Sequence, residues 1–158
     1  MNSAFGTAFK SVNEMTETFM KTYPKGYLEI ASTRRTGAYG WVCSENRDNN
    51  PERLVINSEQ KPSLLAAAQW LMGAKDPDFT RSLKPLLDWY DNYLDDNAYA
   101  YFILTFNGQV GWNITISSIA DEKHPQYKVC VNVDCVDLGV ACSLAVNILN
   151  DTDIASKI

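Results

Sequence analysis

Two stretches of this chain follow the same order, and that repetition limits its fold more than any other feature. Gly111–Leu149 reads GWNITISS, a polar loop, YKVCVNV, then the apolar helical pattern VDLGVACSLAVNIL. Gly40–Leu71 reads GWVCSEN, a polar loop, ERLVINS, then PSLLAAAQWL. Each stretch follows a segment with helical spacing and then a strand-like run. The pattern predicts two tandem units, each helix–strand–strand–strand–helix, over residues 1–73 and 78–150. Three strands and two helices are a thin core for an independent unit. Mutual burial completes both, so the expected fold class is α+β: two α-β-β-β-α units packed as a pseudo-twofold α/β sandwich, one compact domain.

The elements follow from periodicity. Phe5, Phe9, Val12, Met15 and Phe19 recur at helical spacing. This predicts a first helix from Ser3 to Tyr23, capped by Ser3 or Asn2. Strands are expected at Tyr27–Thr33, Gly40–Ser44 and Arg53–Ser58, with Arg34–Tyr39 a loop between the first two. Pro62 opens a second helix. Phe79, Leu83, Leu86, Leu87, Tyr90 and Leu94 mark a third, and Pro85 should kink it or mark its first turn. Tyr99–Phe106 is apolar on both faces, as in a central strand covered on two sides. Asn107-Gly108 signals a tight hairpin. The last helix carries Leu138, Ala141, Ala145, Ile148 and Leu149 as its inner stripe, and residues after Asn150 read as a frayed tail.

The repeat resembles the phage ABA sandwich domain family. The matching pieces are Gly40-Trp41 with Ser63–Ala68, and Gly111-Trp112 with Leu138–Ala145. The resemblance covers nearly the whole chain as two copies. It implies a bacteriophage origin and an α–β–α sandwich, and it brings no catalytic residues. The same topology occurs in double-stranded RNA-binding domains, which place lysines at the start of the second helix. The equivalent places here read KPSLLAAA and DCVDLGVA, so that reading is rejected.

Charge narrows the partners. The net charge is −5, and residues 85–158 carry ten acidic and three basic side chains. Phosphate binding needs clustered Lys and Arg, so double-stranded nucleic acid is not an expected partner. No segment approaches the ~20 apolar residues that span a bilayer, and the start shows no secretory pattern, so the expected setting is a cytosol, that of a host cell if the protein is phage-encoded. The four cysteines lack zinc spacing, and no metal or cofactor is expected.

Three groups of residues are candidates for function. Arg34 and Arg35, with Tyr39 and Trp41, join guanidinium groups to aromatic rings, a combination that grips an anion such as a nucleotide. This loop reads as longer than its counterpart at Asn107-Gly108. Asp88, Asp91 and Asp95 fall on one helical face beside Asp96, an acidic surface for a partner protein. His124 is the only histidine, so a Ser–His or Cys–His hydrolase would depend on it. It sits in the polar loop DEKHPQ and reads as an exposed loop residue. No phosphate-cradling or nucleophile-elbow motif occurs. The expectation is a non-catalytic binding protein that blocks a host defence protein or sequesters a small anionic ligand. The alternatives are a small hydrolase using His124 and the acidic residues, or a structural component, and a homo-oligomer is possible in each case.

Overall fold

The computed structural model describes residue 9 and residues 11–33, 37–43, 54–57, 61, 63–72, 77–108, 110–119 and 121–157. The elements run α1 (Val12–Thr22), β1 (Tyr27–Thr33), β2 (Gly37–Cys43), β3 (Leu54–Asn57), α2 (Leu64–Met72), α3 (Pro77–Asp96), β4 (Tyr101–Asn107), β5 (Gly111–Ser117), β6 (Val129–Cys135) and α4 (Leu138–Lys157). The α+β class is observed. Six antiparallel strands form one sheet in the order β3-β2-β1-β4-β5-β6. Each half of the chain contributes a meander, and the two meet where β1 pairs antiparallel with β4, with Ile30 opposite Leu104 at mid-strand.

Alternation along the strands separates two faces. One presents Leu28, Ile30, Val42, Phe102, Leu104, Phe106, Trp112, Ile114, Ile116, Val131 and Val133, all buried in a single core. The described helices cover this face. Phe19 of α1 meets Phe106 edge-on at 5.8 Å, Tyr90 of α3 meets Phe102 at 5.5 Å, α2 lies on β1 and β2, and α4 lies on β5, β6 and α3. Fully burying a side chain such as Leu104 or Ile114 contributes roughly 1.5–3 kcal/mol. The other face carries Tyr27, Glu29, Tyr101, Ile103, Thr105, Asn113, Thr115 and Asn132. The α–β–α layering implied by the family resemblance would put helices on both faces; the four described helices lie on one. β4 is central but covered once, since its burial alternates along its length.

The two meanders agree in local detail. The β1–β2 and β4–β5 connections span residues 34–36 and 108–110, and each next strand opens with a glycine at positive φ, Gly37 at 73° and Gly111 at 93°. Register shifts fall between Val42 and Cys43 in one meander and between Ile116 and Ser117 in the other. Ahead of β1 the Gly26 amide donates to the Tyr23 carbonyl; ahead of β4 the Ala100 amide donates to the Asn97 carbonyl. Ser63 Oγ caps α2 by accepting from the Ala66 amide, and Asp137 Oδ1 caps α4 by accepting from the Val140 amide. Each pair stands at one constant interval along the chain.

Several boundaries differ from the sequence expectations. The described part of α1 starts after Ser11, whose hydroxyl accepts from the Glu14 amide, so Ser11 is its cap; Asn2 and Ser3 lie outside the described residues. β2 begins at Gly37, so Gly37 rather than Gly40 is the counterpart of Gly111. Asn107-Gly108 does not form a two-residue turn. Asn107 Oδ1 instead accepts from the Val110 amide across a three-residue connection. α3 continues through Pro85, which stands on its exposed side. α4 runs on to Lys157, because Asn150, Asp151 and Asp153 are polar without breaking a helix.

The Asp137 cap gives a first expected result. Asp137→Ala removes an acceptor from the first turn of α4 and should cost about 1 kcal/mol, read as a lower urea midpoint with an unchanged m-value.

Candidate functional site

The acidic residues of α3 follow from its amphipathic spacing. Leu83, Leu86, Leu87, Tyr90 and Leu94 turn into the core, which leaves Asp88, Asp91, Asp95 and Asp96 exposed on the outside. Trp89 stacks on Tyr93 at 4.9 Å beside them. Lys84 Nζ pairs with Asp88 at 3.1 Å, but both groups are well exposed, so the pair adds little. Asp91 is held above the ordinary carboxylate value of 3.8, first by its partial burial and then by the charges of Asp88 and Asp95. The like charges are thus close enough to resist one another. A groove of about 540 Å³ runs between this face and the start of α2, with Asp88 and Asp91 on one wall and Ser63 and Leu64 on the other.

The sheet face that none of the described helices covers carries a second concavity, of about 270 Å³. Tyr27 and Glu29 of β1, Tyr101 of β4, and Tyr127 and Glu122 of the β5–β6 connection line it. Glu29 is only 2% exposed, and the Tyr27 hydroxyl donates to its Oε1 at 2.5 Å. Nearby, Asn113 Nδ2 donates to Asn132 Oδ1 at 2.7 Å and to Asp134 Oδ1 at 2.8 Å, while Thr115 Oγ1 donates to Asn113 Oδ1 at 2.8 Å. This network orders polar side chains across β5 and β6. The sequence reading overlooked Glu29. Its one signal was a carboxylate between Leu28 and Ile30 in a strand destined for the centre of the sheet.

Of the anion-site residues, Arg34 and Arg35 lie outside the described residues. Tyr39 is half-buried and pairs in register with Ala31. Trp41 pairs in register with Glu29 and Asn57, and its side chain is outside the described residues. The expected difference in loop length is overturned: both connections are three residues long, because β2 starts earlier than its polar flank suggested.

His124 takes part in its own loop. Its Nδ1 accepts from the Gln126 amide at 3.0 Å, and its amide donates to the Asp121 carbonyl at 3.1 Å. Cys142 is buried in α4, and burial, with Asp137 adding to it, pushes its thiol up to about 12. At neutral pH it stays a thiol and packs as a small apolar group. Among the described residues no cluster of three or more His, Cys, Asp or Glu side chains is placed to hold a metal ion, and no described helix is long and apolar enough to cross a membrane. No family model, no curated protein and no solved structure matches this chain.

Proposed function

We propose that the protein is a non-catalytic binding protein that works by stoichiometric capture, and that the acidic face of α3 is where it meets a positively charged partner protein. The observation that carries this reading is the placement of Asp88, Asp91, Asp95 and Asp96 together on the exposed side of α3, with Asp88 and Asp91 walling the groove toward α2. Burial first, and then the charges of Asp88 and Asp95, disfavour the charged form of Asp91. A basic partner would be steered toward this cluster of like charges and would offset their mutual repulsion.

The reading is supported by the way the two halves differ. We infer that the chain is two copies of one α-β-β-β-α unit related by a pseudo-twofold axis through the β1–β4 seam. The paired glycines, bulges, turns and helix caps argue for it. The acidic stripe of α3 is partly shared: at the interval that carries Gly37 to Gly111 and Ser63 to Asp137, Glu14 and Glu17 of α1 stand opposite Asp88 and Asp91, while Lys21 and Thr22 stand where α3 has Asp95 and Asp96. The second copy therefore extends an acidic face that in α1 ends on a lysine. A bacteriophage source and a host defence protein as the target rest on the family resemblance alone. Capture of an anion by Arg34 and Arg35 with Tyr39 and Trp41 loses its main motive, since the connection that holds the arginines is no longer than its counterpart.

Binding is tested by pull-down with the wild type and with the triple variant Asp88→Asn, Asp91→Asn, Asp95→Asn. The expected result is a partner retained by the wild type at low salt, released as salt rises, and absent from the variant. A partner held equally by both, or indifferent to salt, overturns the acidic-face reading.

Stability gives an independent check. A carboxyl whose folded value is raised binds its proton more tightly in the fold than unfolded. Its contribution to stability therefore falls as pH rises from 3.8 through the folded value. Asp91→Asn removes that penalty. The variant should melt slightly above the wild type at neutral pH, the difference should vanish below 3.8, and the partner should bind it more weakly. Higher stability with poorer binding is the signature of a residue kept for function.

A further inference from the structure

We infer that the outer face of α4 is a homodimer interface, in which the helix packs against its own copy across a twofold axis. Val136 just ahead of the helix, then Val140, Leu144 and Ile148 within it, are 82%, 50%, 44% and 43% exposed. They recur every fourth residue, which makes one continuous apolar ridge. From Leu138 to Asn150 the sequence has no charged residue. The outer face of α3, in the same helical layer, carries four aspartates. Charge depletion around an exposed apolar ridge is the composition of an interface centre rather than of a solvated helix.

A second copy fits this face better than an unlike partner for two reasons. The first is shape. Beside the ridge runs a parallel row of small and polar residues, Gly139, Ser143 and Asn147, which floors a groove of about 220 Å³ against Arg81, Ser82 and Pro85 of α3. Ridge and groove lie on the same helix. A twofold axis near Leu144 therefore seats each ridge in the other copy's groove, the self-complementary contact that closed dimers use. Rows spaced by four residues interlock with the axes crossing at about −50°.

The second reason is charge. Two chains of net charge −5 repel, and a helix without a charged residue from Leu138 to Asn150 lets them meet at low cost. Arg81 lines the groove at its Gly139 end, while exposed Asp151 stands at the far end of α4. An antiparallel crossing carries Asp151 of one copy toward the partner subunit's Arg81. This inference does not depend on the acidic-face reading, because it uses a different helix and a different measurement.

Sedimentation velocity over a roughly 100-fold range of protein concentration tests it, since a dimer's population follows protomer concentration. The expected wild-type mass is that of two chains of 17.7 kDa, falling to one on dilution. Leu144→Glu places a charge at the axis twice over and should raise the dimer Kd by roughly 100-fold, with an unchanged far-UV spectrum because Leu144 is not part of the core. Leu144→Cys should cross-link to its own copy under mild oxidation faster than the wild type or than Lys21→Cys, on exposed α1. A wild type that stays single-chain throughout, a Leu144→Glu variant that stays dimeric, or a Leu144→Cys that cross-links no faster than Lys21→Cys overturns the assignment.

Discussion

Tyr90→Ala should lower the unfolding free energy by about 3–5 kcal/mol, the cost of emptying a large buried aromatic site. Tyr90→Phe should still lose about 1–3 kcal/mol, although it keeps the ring. The ring is 2% exposed and packs on Phe102. Its hydroxyl lies 2.9 Å from two carbonyl oxygens, those of Ser32 and Ala100. One proton is shared between them. Ser32 is near the end of β1 and Ala100 immediately precedes β4, so this side chain ties the two meanders together beside their seam. Phenylalanine removes the proton that both carbonyls accept beside a buried ring. Urea denaturation followed by tryptophan fluorescence measures both variants. A Tyr90→Phe midpoint equal to wild type would mean that water reaches these carbonyls.

Gly111→Ala is the second large effect, at about 2–5 kcal/mol. Its φ of +93° lies where a side chain costs about 1–2 kcal/mol. A β-carbon there would also stand 2.9 Å from the Cys135 carbonyl oxygen and 2.9 Å from Val136 Cα. Both are backbone atoms at the β6–α4 junction and cannot swing aside as a side chain could, so overpacking adds about 1–3 kcal/mol. Gly108→Ala is the matched control. Its added carbon would meet the flexible end of Met20 at 3.3 Å, and the melting temperature should barely move. Similar losses at both glycines would show that the hairpin as a whole, rather than the geometry at Gly111, is sensitive.

These two sites also show what the sequence could and could not tell. Strict alternation, as in Trp112, Ile114 and Ile116, made the strands and their buried face legible, because a period of two has one physical meaning. The stripe of α3 was legible for the same reason, and it carried the aspartates to their exposed face. Hairpin geometry was not. Asn107-Gly108 has the composition of a tight turn, yet Asn107 spends its side chain on the Val110 amide, and the left-handed residue is Gly111. Pro85 and the acidic end of α4 looked like breaks because local propensity is weak beside tertiary packing. The concavity around Glu29 was invisible for a different reason. It joins β1, β4 and β5 with the connection before β6, and a single strand's pattern does not say which other strand will lie beside it.

The seam between β1 and β4 has a kinetic consequence. Every other pair among the described strands joins strands adjacent along the chain and can form by itself within a half. The seam alone joins strands from the two halves, so the expected late, slow step of folding is its closure. Until it closes, β1 and β4 each present a raw row of unpaired amides and carbonyls. Such edges accept any strand in reach. Because Ile30 meets Leu104 at the centre of an antiparallel pair, a nascent first half released before its second is made carries an edge that can accept another first half in the same way. During synthesis the hazard for this chain is therefore mispairing between neighbouring copies, and it ends when α3 and β4 emerge.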